Sequence, residues 1–93
     1  MAGPVKAFMW AQGTAAGVVG PARSRIKQIV IYAAASGSFT LKDGSASGTT
    51  LLTQDFPTGL HTLNIPGDGI VAEGGVYVSA FTGSNNDLTF FLG

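Results

Sequence analysis

From Ile26 to Leu92 the chain repeats one unit, a short run of β-branched, aromatic or leucine residues closed by a cluster of Gly, Asp, Asn, Ser or Pro. Within most runs apolar and polar positions alternate, so successive side chains fall on opposite faces of an extended strand. Short alternating runs bounded by turn residues predict an all-β fold, an antiparallel β-sandwich of jelly-roll or immunoglobulin-like type with seven to eight short strands. No segment sustains the 3.6-residue period of an amphipathic helix.

Individual runs carry different information. Arg23 to Ala33 alternates Arg23, Arg25, Lys27, Ile29 and Ile31 against Ile26, Gln28, Val30 and Tyr32, and its second half is apolar on both faces, the mark of a central strand. Ser38 to Lys42 places Phe39 and Leu41 inward, with Ser38, Thr40 and Lys42 outward. Asp43-Gly44 and Ser47-Gly48 then turn the chain into a strand from Thr49 to Asp55, and the two form a hairpin. A further strand runs from Leu60 to Ile65, Pro66 to Gly69 supplies a turn, and Ile70 and Val71 begin a short strand. Val76 to Thr82 and Asp87 to Leu92 read as a C-terminal hairpin across Gly83-Ser84-Asn85-Asn86.

The first residues differ in texture. MAGPVKAFMWAQGTAAGVVGPA is rich in Gly and Ala, with strands expected at Val5 to Trp10 and, weakly, at Thr14 to Val19 before Gly20-Pro21 interrupts the chain. The expected organisation is an N-terminal arm over residues 1–21 that orders on a neighbour, followed by a sandwich domain over residues 22–93.

Composition turns this outline toward assembly. Apolar residues make up 45% and charged residues 11% of the 93, against roughly 25% charged in an ordinary domain, so much of the outer surface must carry little charge. A domain this small has a limited core, and with no cysteine it has no disulfide staple; oligomerisation is the remaining reinforcement. Formal net charge is zero, which argues against nucleic acid or an anionic membrane as partner. Yet Lys6, Arg23, Arg25 and Lys27 precede all five acids, so a weakly basic and a weakly acidic end are expected if those segments cluster. No run approaches the about 18 apolar residues of a membrane-spanning helix, and the chain is expected to fold in the cytoplasm where it is made.

Candidate chemistry is sparse. His61 is the single histidine, alternates with Leu63 and Ile65, and reads as a half-buried structural residue; no serine sits in a G-x-S-x-G turn. The five acids sit in or beside turns without calcium-loop spacing, Asn85, Asn86 and Asp87 being the nearest approach, and no Gly-Lys-Ser/Thr cradle exists for phosphate. No catalytic residue, metal or cofactor is expected. Trp10, Tyr32 and Tyr77 are the aromatics that a glycan-binding module would use for stacking. The candidate partner interface is Val5, Phe8 and Trp10 of the N-terminal segment with the cations Arg23, Arg25 and Lys27.

Five segments add a resemblance: IYA at Ile31 to Ala33, FTLKDG at Phe39 to Gly44, GTTLL at Gly48 to Leu52, IPGDGI at Ile65 to Ile70, and LTFFLG at Leu88 to Gly93. In this order the run from Arg25 to Gly93 resembles small virion proteins of tailed bacteriophages. The resemblance implies a non-enzymatic β-sandwich structural protein, a capsid cement or decoration protein on the virion surface. Its implied partners are the major capsid protein and copies of itself in a homo-oligomer, a trimer included. Two alternatives are a glycan-binding receptor module and a tail or head-completion subunit.

Overall fold

The computed structural model describes residues 5–13 and 15–93. Among them nine strands and no helix are found: β1 (Lys6–Ala11), β2 (Gly17–Val19), β3 (Ser24–Ala33), β4 (Gly37–Asp43), β5 (Thr50–Phe56), β6 (Gly59–Asn64), β7 (Ile70–Ala72), β8 (Val76–Phe81) and β9 (Asp87–Leu92). The count exceeds the expected seven to eight because β2 and β7, three residues each, both find a partner strand.

The strands form two antiparallel sheets packed as a sandwich. The first has the order β1-β9-β3-β6, with β7 alongside the start of β3; the second has the order β2-β8-β4-β5. The pairs β1·β9, β2·β8, β3·β6 and β4·β5 are the rungs of one antiparallel ribbon folded over on itself, joined within the sheets by β9·β3 and β8·β4. That order is the jelly roll. It is not the immunoglobulin arrangement, whose first two strands share a sheet, since here β1 and β2 lie in different ones.

Three expectations are corrected. Lys6–Ala11 and Gly17–Val19 are not an arm: β1 and β2 are edge strands of the two sheets, and Trp10 and Val19 belong to the buried core. Thr14, the expected start of the second strand, lies outside the described residues. The C-terminal hairpin does not form either, because β8 belongs to the second sheet and β9 to the first. The connection crosses the end of the sandwich, held by buried Asn86, whose Oδ1 accepts from the Ala35 amide (3.1 Å) and whose Nδ2 donates to the Thr82 carbonyl (3.3 Å). Gly83, at φ 110°, leaves that carboxamide room, since a β-carbon there would strike Asn86 Nδ2.

The third correction concerns β3. Simple alternation puts Lys27, Ile29 and Ile31 on one face, but Ile26, Ile29, Ile31 and Ala33 are the buried positions. Lys27 is the extra residue of a bulge: Ile26 faces Leu92 of β9 and Gln28 faces Phe91. The bulge falls where β3 changes neighbours on its other side, from β6 (Gln28 opposite Asn64) to β7 (Ile26 opposite Ile70). The turn between them closes over the spare residue: the Lys27 carbonyl accepts from the Ile65 amide (3.1 Å) and Lys27 Nζ donates to the Asp68 carbonyl (3.1 Å).

The core between the sheets follows the alternation elsewhere. Phe39 and Leu41 of β4 meet Ile29 of β3 and Leu88 and Phe90 of β9 in one buried cluster, with Val76 and Val78 of β8 beside them. Phe56 stacks between Phe39 and Phe81, ring centroids 6.2 and 6.3 Å apart.

Candidate functional site

With Trp10, Leu88, Phe90, Ile29, Ile31 and Leu63 turned inward, the intervening residues of the first sheet face away from the core. Read across β1, β9, β3 and β6, the register sets them in rows. Ala11, Asp87, Tyr32 and Leu60 form one row, Met9, Thr89, Val30 and Thr62 the next, and Ala7, Phe91, Gln28 and Asn64 a third. A fourth row lies at the β7 end. Arg25 and Gly93 exchange backbone hydrogen bonds of 3.0 and 2.9 Å, Val71 stands opposite Arg25, and Val5 and Lys27 both approach the outer side of Gly93.

This outer face is apolar at its centre and nearly free of charge. Met9 is 77% exposed, Leu60 70% and Tyr32 54%, while Val30 and Phe91 between them are half-buried. In the first three rows Asp87 is the only charged residue. Gln28 and Asn64 satisfy each other, Nε2 to Oδ1 at 2.7 Å. A contiguous apolar surface of this kind on a small domain marks an interaction site, whereas scattered exposed apolar side chains do not.

The candidate interface residues divide. Val5, Arg25 and Lys27 lie on this face. Phe8 points inward, half-buried against the core, and Trp10 is buried, 9% exposed. Arg23 stands outside the alternation of β3, with φ 53°, and its guanidinium donates to Glu73 at 2.6 Å in an exposed ion pair. Sequence reasoning missed Met9, Val30, Leu60 and Phe91 as surface residues, and weighed Tyr32 as one only for sugar stacking. A signal existed for most of them: Phe8-Met9-Trp10, Ile29 to Tyr32 and Phe90-Phe91 are consecutive apolar residues, and a strand must send every second one to the far face.

The charges segregate along the strand direction. All five Lys and Arg lie toward the end holding the start of β3, together with Asp43, Asp68 and Glu73. Asp55 and Asp87 lie toward the opposite end, which has no cation. On the first sheet's outer face this puts Arg25 and Lys27 at one margin and Asp87 at the other.

Shallow depressions elsewhere among the described residues include two. One of about 290 Å³ has Phe8 and Leu92 in its wall with Lys6 and Arg23 beside them. The other, about 190 Å³, lies between the β5 and β6 margins and is lined in part by Asp55, Phe56 and His61. There His61 is half-buried and its Nε2–H donates to the Pro57 carbonyl (2.9 Å), tying down the β5–β6 turn. The Asn86 carboxamide is engaged within the fold, so the Asn85 to Asp87 segment does not present it outward. Among the described residues no three His, Asp or Glu side chains converge as a metal site would require. Of the three aromatics weighed for sugar stacking, Trp10 is in the core, Tyr77 is half-buried and only Tyr32 stands in the open.

The outer face of the second sheet is different in kind. On β4 and β5 it consists of Ser38, Thr40, Lys42, Thr50, Thr53 and Asp55, with Thr53 Oγ1 donating to Thr40 Oγ1 across the strands at 3.5 Å, while Ala80, Tyr77 and Val18 of β8 and β2 make up its other side. Comparison with protein-family models, with curated proteins and with solved structures finds no significant match to this chain.

Proposed function

We propose that this protein is a non-enzymatic structural subunit of a virus particle, a capsid cement or decoration protein that works by burying apolar surface at the joints between subunits, its own copies included. The observation that carries the reading is the outer face of the first sheet, charged only at its two margins, with Met9, Val30, Tyr32, Leu60 and Phe91 spread across its four strands. Folding of the lone chain does not call for these residues, since the core is complete without them. Removing them from water is what they add, at about 25 cal/mol per Å² of apolar area, and many symmetry-related copies multiply a modest single contact. The jelly roll is a fold used by capsid subunits, though also by lectins, so the fold supports the reading by analogy only.

The test is occupancy. Gradient-purified particles of the encoding phage should contain the protein by mass spectrometry, and a variant carrying Met9→Lys with Leu60→Lys should fall at least tenfold in bound copies. Absence of the protein from the particles, or full occupancy by a folded variant, overturns the proposal.

A further inference from the structure

Resting on the reading of the first sheet's outer face as the buried one, we infer that its occupant is a second copy of this chain, packed face to face about a two-fold axis running across the strands. The charges at the two margins of the face specify that partner. Rotation about such an axis lays the Asp87 margin of one copy over the Arg25 and Lys27 margin of the other, and does so twice, because an isologous contact repeats every pairing. A two-fold axis along the strands would instead stack the cationic margins together.

Side-chain sizes agree with the same superposition. The row of Ala11, Asp87, Tyr32 and Leu60 comes over the row of Val5, Gly93, Arg25 and Val71. Tyr32 then meets the Arg25 guanidinium, a cation–π pairing, and Asp87 comes over Gly93, whose outer side is flanked by Val5 and the cationic Lys27. In the middle rows Met9 comes over Ala7 and Thr89 over Phe91, each large residue opposite a small one. Sheets packed this way sit about 10 Å apart. A body of 37 × 26 × 17 Å presents a broad face on the order of 800 Å², the share each partner gives to a standard specific interface. A small domain with no disulfide gains its reinforcement by this route.

Sedimentation equilibrium of the purified chain from micromolar to near-millimolar concentration tests the inference. The wild type is expected to reach twice its 9.4 kDa subunit mass. Asp87→Lys alone and Arg25→Glu alone should each weaken the dimer at least tenfold, and the two reversals combined in one chain should recover most of the loss. Met9→Lys, at a position 77% exposed in the monomer, should give a folded monomer by circular dichroism. A wild type monomeric throughout the range overturns the inference, as does a dimer indifferent to these changes or a double reversal that recovers nothing. A monomeric wild type that nevertheless occupies particles through Met9 and Leu60 overturns the second-copy inference and leaves the structural role standing. A dimer absent from every particle does the reverse.

Discussion

The two outer faces of this sandwich obey different rules although their inner faces obey the same one. On the second sheet each inward Phe39 or Leu41 is answered by an outward Ser38, Thr40 or Lys42, the alternation of a sheet with one face on a core and one in water. On the first sheet Ile29 and Ile31 alternate with Val30 and Tyr32, and Phe90 with Phe91. Such strands read as buried on both sides, yet the second side has no partner among the described residues. Of the exposed large apolar residues, Val5, Met9, Tyr32 and Leu60 belong to this face and Val18 to the second sheet, so the excess over folding's needs is concentrated on one face.

Truncating the shared core should hurt both sheets alike. Phe39→Ala in the second sheet and Phe90→Ala in the first each empty a fully buried site, and each is expected to cost about 3–5 kcal/mol by urea unfolding. A marked inequality between them would mean that one sheet is the stability-determining layer. The outer faces should then separate. Met9→Lys with Leu60→Lys on the first sheet and Thr50→Glu with Thr53→Lys on the second, all at exposed positions, should both leave monomer stability within about 0.5 kcal/mol. Only the first pair should abolish self-association in sedimentation. If the threonine pair is equally disruptive, the contrast between the faces has no functional content. Least of all should change with Arg23→Ala, which removes the solvated ion pair to Glu73: a loss of a few tenths of a kcal/mol, about the value of an exposed pair, and no change in association. A clear loss of association would move the interface toward the Arg23 corner.

The sandwich and most strand positions are legible in the chain because period-2 alternation and Gly-rich turns are local signals. Phe39, Leu41, Leu63 and Ile65 are read correctly from such alternation alone. Pairing is not local. Gly83 to Asn86 has the composition of a hairpin loop, and what makes it a crossing between sheets is the burial of Asn86 against Ala35 and Thr82, contacts that depend on the folded ends of three strands. The fate of Trp10 was equally hidden, since an isolated N-terminal run does not reveal that β9 will pair with it. The apolar face could be inferred from adjacent apolar residues, but not its extent, because that requires the strand order.

The Lys27 bulge carries a consequence for how the chain tolerates change in length. Because Lys27 is the residue that the register of β3 with β9 skips, between Ile26 and Gln28, excising it would leave Ser24 and Ile26 facing inward and Val30 and Tyr32 facing outward as before. Loss of any single residue from Gln28 to Ile31 would instead turn part of the strand inside out, exchanging core for surface. The central strand thus holds a spare unit at the point where its neighbours change, and insertions or deletions in this gene should survive there more often than elsewhere in β3.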